Sequence, residues 1–237
     1  MISAVITAGG NGTRTGYKVP KQFLTVYDIP IIVYTIKNIS LVEEIEKIVV
    51  VVANGWQGFV EAYVSQYNLT KVSDIVIGGD TRLESLKNGI KVLIDGMTQD
   101  EKEMSLIGLY DGNRPMIPKE VSINAIKAAK EYGAVVALEP CYDTMYQCTD
   151  TVFADCVMNR SILYKGQNPE FFKVTTLIEC LSKTSDSRNL DMTICALRLR
   201  QGDRVAYIHG SSKSFKITTA DDIELFKAMV QGNNILN

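Results

Sequence analysis

Four consecutive valines, Val49–Val52, lie inside the run KIVVVVA at residues 47–53. β-Branched side chains crowd a helix and suit a pleated strand. A strand that is apolar at every position, not at every second one, is covered on both faces. Residues 2–7 form a similar, mostly apolar run, and further ones occupy 74–77, 105–110 (leading into Asp111) and 134–138. Between them the apolar spacing turns helical, at 31–39, 56–67 and 81–94, where Leu83, Leu86, Ile90 and Leu93 share one face. Pro118 opens a further helix to Lys130, and a last one covers 220–230, with Thr219 or Thr218 as its cap. Strand alternating with helix predicts a three-layer α/β fold, one domain over 1–237, built on a mostly parallel sheet. Binding sites in such sheets lie at the carboxyl ends of strands.

One region breaks the rhythm. Residues 143–167 alternate polar and apolar side chains without helical spacing and read as an extended hairpin or arm, about 140–168 in all. No element is assigned between 168 and 219.

Composition removes several function classes. A net charge of −2 argues against a broad nucleic-acid-binding surface. No apolar run reaches membrane-spanning length. The start of the chain reads as a strand and not as a signal peptide, and the five cysteines show no zinc-type pairing. Reduced thiols in a cytoplasm are therefore expected. His209 is the single histidine, which disfavours a histidine-based metal site or a Ser-His-Asp triad.

The stretch AGGNGTRTGYKVPK, Ala8 to Lys21, follows the first strand. Gly9, Gly10 and Gly12 let backbone amides approach phosphate oxygens. Arg14 offers a planar fork and Lys21 a point charge, stiffened by Pro20. The loop suits a polyphosphate. It is not a P-loop, for no Gly-Lys-Ser/Thr ends it, and Thr15 stands where a dinucleotide fingerprint needs its last glycine. The plain alternative is a strand-to-helix turn with solvated basic residues.

Gly-Gly-x-Gly-Thr-Arg followed by Pro20-Lys21-Gln22-Phe23 resembles the signature of the cytidylyltransferases that activate polyol phosphates, among them the ribitol-5-phosphate and methylerythritol-phosphate enzymes. The resemblance extends along nearly the whole chain. Gly78-Gly79-Asp80-Thr81-Arg82-Leu83-Glu84-Ser85 is similar to the family's second segment, which closes over cytosine and ribose. Asp111-Gly112-Asn113-Arg114-Pro115 resembles Asp-Ala-x-Arg-Pro, whose aspartate binds magnesium. Residues 140–145 look like the start of a dimerisation arm, Arg160 matches the arm's arginine, and Phe215-Lys216-Ile217-Thr218 matches a late lysine segment. The resemblance implies a nucleotide site of Ala8, Gly9, Gly10, Gly12, Thr13, Gly79, Asp80, Arg82, Ser85, Asp111 and Gly112. It implies Arg14, Lys21 and Lys216 as catalytic cations, Thr144 and Arg160 as acceptor contacts, magnesium on Asp111, and a homodimer. Arg114 is read as structural. Asp80 and Ser85 are equally able to cap the helix that follows them.

The implied reaction joins CTP to an alcohol phosphate, giving a CDP-alcohol and pyrophosphate. An anionic phosphate oxygen is already a nucleophile, so the scarcity of histidine is no obstacle. Three departures fall mostly on the acceptor half: Lys213 and Ser214 where relatives often carry an aspartate, Leu190 before Asp191, and Asn113 after Gly112. The opening loop and Gly166-Gln167-x-Pro169 lie nearer the ribitol-phosphate branch; methylerythritol phosphate is the alternative acceptor. Readings of another class also stay open: an inactive nucleotide-binding relative, or an NAD- or ATP-binding regulator.

Overall fold

The computed structural model describes residues 1–10, 19–184 and 192–232. Strand β1 (Ile2–Ala8) leads to a small ladder, β2 (Thr25–Val26) with β3 (Ile29–Pro30), and then α1 (Ile31–Ser40), β4 (Lys47–Val52), α2 (Gln57–Gln66), β5 (Val72–Ile77), α3 (Arg82–Ile94) and α4 (Gln99–Met104). The chain continues through β6 (Leu106–Asp111), α5 (Lys119–Tyr132), β7 (Ala134–Pro140), β8 (Met145–Gln147), β9 (Cys156–Met158) and β10 (Tyr164–Lys173). It ends in α6 (Val174–Ser182), α7 (Ile194–Arg200), β11 (Ala206–His209) and α8 (Ala220–Gly232).

Seven strands form one sheet in the order β11-β7-β10-β6-β1-β4-β5. All its pairings are parallel except those of β10, which runs antiparallel between β6 and β7. The valine run explains the layers. Ile48, Val50 and Val52 pack with Ile32, Ile36 and Val60 on one face, and Val49 and Val51 pack with Leu86 and Ile90 on the other. Every one of those valines is fully buried, each worth about 1.5–3 kcal/mol. Among the described residues no helix is long and apolar enough to cross a membrane.

β1 pairs with β4 on one side and β6 on the other, so the winding of the chain reverses beside it. The carboxyl ends of β1 and β6 therefore open a crevice, the usual position of a ligand in an open α/β sheet. The register sets Thr7 opposite Asp111 at its floor.

The arm is shorter than the sequence suggests. It leaves the sheet after Pro140 and returns at Tyr164, its neck closed by the Cys141 N–H donating to Leu163 O at 3.1 Å. Residues 164–168 belong to the β10 ladder, where a bulge between Gln167 and Glu170 accommodates Pro169.

Candidate active site

Asp111 ends β6 at the crevice, its side chain only 7% exposed. Arg82 opens α3 and brings Nη1 to 2.6 Å from Asp111 Oδ1. Arg114 and Lys216 approach the other oxygen, Arg114 Nε at 3.3 Å and Lys216 Nζ at 3.1 Å. Residues separated by more than a hundred positions thus meet on one carboxylate. Burial alone would raise the Asp111 pKa, but Arg82, Lys216 and Arg114 outweigh it and hold the group far below the ordinary carboxylate range. Three cations around one anion leave an excess of positive charge, which suits a polyanionic ligand.

Local chemistry sets each partner. Thr81 caps α3: its Oγ1 accepts from Glu84 N at 3.1 Å, and Glu84 Oε2 accepts from Thr81 N at 3.1 Å. The cap is therefore neither Asp80, which is exposed, nor Ser85. Buried Ser85 instead fixes the preceding turn, its Oγ accepting from Gly79 N at 3.2 Å. At Gly112 a Cβ would lie 3.1 Å from Thr7 O and 2.8 Å from Ile32 Cδ1. Glycine lets the loop after β6 lie this close to β1 without displacing Ile32. Arg82 Nη1 also donates to Thr7 Oγ1 at 3.4 Å.

The described part of the opening loop is held by Gln22. Its Nε2 donates to Ala8 O and, at 3.1 Å, to Gly10 O. Lys21 lies on the short 3-10 turn of Lys21–Phe23, anchored by Phe23, whose ring stacks on Trp56 at 4.1 Å between centroids. Lys21 adds its charge to the field at Asp222. Burial would raise Asp222, but the amides of Thr219 and Thr218, with Lys21, lower its pKa. Thr219 Oγ1 in turn accepts from Asp222 N at 3.4 Å, the expected cap of the last helix. Lys21 and Lys216 thus come from neighbouring segments at the same end of the sheet.

Gly12, Thr13 and Arg14 lie outside the described residues, as do Leu190 and Asp191. Gly9 sits beside Ser85, and Gly10, Gly79 and Asp80 are exposed. Thr144 and Arg160 are exposed on the arm. Arg160 Nη1 donates to Tyr142 O at 2.6 Å; among the described residues the Asp111 carboxylate pairs with Arg82, Arg114 and Lys216.

Sequence reasoning missed the supports. Asn168 Oδ1 accepts from Asp111 N at 2.6 Å and holds the end of β6 from β10. Buried Glu170 accepts from Ile194 N and Cys195 N, both at 3.2 Å, and so caps α7. Burial pushes the Glu170 pKa up, against the Thr193 hydrogen bond and the Arg82 charge. Gln22 was visible within Pro-Lys-Gln-Phe; Glu170 carried no local signal, because its partners lie beyond the next helix.

Among the described residues no group of three His, Cys, Asp or Glu side chains converges as a metal cage. Asp111 is a carboxylate of the kind magnesium takes, one or two of them with waters and substrate phosphates completing the shell; to hold the ion it would have to yield part of its pairing with Arg82, Arg114 and Lys216.

The sequence model of IspD, 2-C-methyl-D-erythritol 4-phosphate cytidylyltransferase, matches residues 2–232. A ribitol-5-phosphate cytidylyltransferase of Lactiplantibacillus plantarum is 32% identical over 238 residues, covering 98% of this chain and 99% of that one. A 2-C-methyl-D-erythritol 4-phosphate cytidylyltransferase of Clostridium botulinum is 33% identical over 231 residues, covering 97% and 99%. The crystal structure of a 4-diphosphocytidyl-2C-methyl-D-erythritol synthase from Anaerococcus prevotii superposes with a TM-score of 0.78 at 25% identity, covering 98% of this chain and 96% of that one.

Proposed function

The chain belongs to the IspD cytidylyltransferase family, and from that premise we propose that it transfers CMP from CTP to ribitol 5-phosphate or a closely similar polyol phosphate. The observation that carries the reading is the convergence of Arg82, Arg114 and Lys216 on buried Asp111 at the switch point of the sheet. The acceptor choice rests on the opening loop and on Gly166-Gln167-x-Pro169. Methylerythritol phosphate is the competing acceptor, favoured by the family's own description.

In this reading an acceptor phosphate oxygen attacks the α-phosphorus of CTP. A new P–O bond forms, the bond to the β-phosphate breaks, and pyrophosphate leaves. The difficulty is to bring two polyanions together and to stabilise charge at phosphorus. Lys21 and Lys216, with Arg14 from the opening loop, hold the phosphates; Asp111 keeps Arg82, Arg114 and Lys216 aligned. Loss of one such cation costs about 3 kcal/mol of transition-state stabilisation. Magnesium, when bound, would be held by Asp111 and the nucleotide phosphates and would neutralise polyphosphate charge.

The arm supports a homodimer as part of the same proposal. Val152, Phe153, Val157 and Ile162 are each more than 60% exposed there, an apolar surface that a second copy would cover. Thr144 and Arg160 would then serve the neighbouring subunit's acceptor. Free thiols at exposed Cys148 and Cys156 agree with a cytoplasmic setting.

Pyrophosphate release from CTP and UTP with ribitol 5-phosphate, methylerythritol 4-phosphate and glycerol 3-phosphate tests the reading. Turnover should require CTP and be highest with ribitol 5-phosphate. Preference for methylerythritol phosphate would reassign the acceptor, equal use of UTP would remove the base assignment, and no release with any pair would leave a nucleotide-binding relative.

A further inference from the structure

Lys216 lies in a stretch that no sheet ladder supports. Between the end of β11 and the start of α8 the only regular element is the 3-10 turn Ser212–Ser214. Yet its ammonium must sit within about an ångström of a fixed place to act on phosphate.

Two contacts bracket it. On the far side, Asn113 and Ile217 bind each other reciprocally. Asn113 Nδ2 donates to Ile217 O at 2.6 Å, and Ile217 N donates to Asn113 O at 3.0 Å. On the near side, Arg114 Nη1 donates to Ser214 O. Asn113 is buried, Ile217 is fully buried, and Ile217 packs with Val26, Ile31 and Phe226. The Lys216 side chain, 39% exposed, then spans from this anchored backbone to Asp111. Any residue at 113 could offer its backbone carbonyl, but only a side-chain donor of this length satisfies Ile217 O. Left without it, that carbonyl is a buried acceptor with no partner, and the segment shifts to find one.

We propose that Asn113 is a positioning residue for catalysis: its two bonds to Ile217 fix the backbone from which Lys216 reaches the substrate phosphates. The inference rests on the cytidylyl-transfer reading and on the role it gives Lys216. Asn113 itself touches no substrate; it acts through the lysine.

The test is a double-mutant cycle with CTP and the best acceptor from the panel. Asn113→Ala should lower kcat by about 10- to 100-fold, with the KM for CTP changed by less than about threefold. In a Lys216→Ala background the same substitution should cost less than about twofold, because the lysine it positions is gone. An equal fold-loss in both backgrounds would overturn the inference while leaving the function intact. A Lys216→Ala enzyme with normal kcat would instead remove the role assigned to the lysine, and the positioning role with it. Should Asn113→Ala fail to fold, Asn113→Ser supplies the second arm: its hydroxyl is too short to reach Ile217 O, so it should lower kcat in the wild-type background and cost little in the Lys216→Ala background. An equal fold-loss in both backgrounds would overturn the inference.

Discussion

Replacing Asp111 by asparagine keeps the shape of the site and removes one charge that three cations share. A unit pair at 3 Å is worth about 5 kcal/mol gross at an effective dielectric near 20. Burial cancels part of that, and breaking a buried pair from one side costs about 3–5 kcal/mol net. Lys216 is 39% exposed, so solvent screens its share. The lower figure, about 3 kcal/mol, is then the expected loss. For a domain of this size each kcal/mol moves Tm by about 2–4 °C, so Asp111→Asn should melt about 6–12 °C below wild type. Differential scanning calorimetry in EDTA, with and without pyrophosphate, reads it directly. Because pyrophosphate supplies the missing counter-charge, it should raise Tm more in the variant than in wild type. The pH dependence has a fixed sign. With the folded pKa far below the unfolded value, the stabilisation is fully present above about pH 5 and is lost only as pH falls through and below the unfolded value near 4. The gap in Tm should therefore be flat from pH 5 to 9. A Tm within 2 °C of wild type in EDTA, or equal stabilisation of both proteins by pyrophosphate, would refute the electrostatic account.

Glu170 carries the opposite sign. Its folded pKa is raised by burial, so its contribution to stability is present below the unfolded value and is lost as pH rises through the folded one. Glu170→Gln should therefore flatten the decline of Tm with rising pH, and parallel Tm–pH curves would contradict the shift. Lys21→Ala and Lys216→Ala should each lower kcat by about 100-fold with a smaller effect on nucleotide affinity, read by steady-state kinetics and by quenching of the single Trp56, which stacks on Phe23 beside Lys21. Mixing inactive Lys21→Ala and Arg160→Ala chains under subunit exchange should restore part of the activity if each site draws on two chains. No recovery despite proven exchange would keep Arg160 out of a shared site.

The parallel core was legible because Val49–Val52 and the run in β1 carry a pattern that no helix tolerates. The regions at 81–94 and 118–130 were equally plain from their spacing. β10 was not. Its first residues fall within the expected arm and those after 168 carry no assigned element; pairing with β6 and β7 on either side, with a bulge between Gln167 and Glu170, makes it a central strand. α6, α7 and β11 are short and carry little local pattern of their own; α6 packs on β10, whereas α7 and β11 pack on β7. In the site the motifs located Asp111, Arg82 and Lys216 individually. Their meeting could not be read, because Lys216 Nζ reaches Asp111 across more than a hundred residues of chain. Asn168 and Glu170 were hidden for the same reason, while Gln22 and Asn113 stood inside the motifs without their roles being legible, because both act on backbone groups whose positions are set by the fold.

That arrangement has a consequence for how a polyanion binds. Three like charges brought together in an empty site would repel one another and drift toward solvent. Asp111 prevents this by acting as an internal counter-ion, with Arg82 at 2.6 Å and Lys216 at 3.1 Å. Arg114, further engaged by Ser214 O, and Arg82, further engaged by Thr7 Oγ1, each hold a second partner. Lys216 has the most exposed side chain of the three. It is therefore the group that can turn from the carboxylate to an incoming phosphate at least cost. The two arginines keep Asp111 satisfied while it does so. In the proposed reaction this competition would weaken ground-state binding, while the partly exposed lysine would keep part of its charge for the nucleotide. Catalysis gains where a cation strengthens its hold as charge grows at phosphorus. A lysine that shares an ion-paired aspartate with two arginines, on a backbone fixed by Asn113, would meet that condition better than a cation committed to the carboxylate alone.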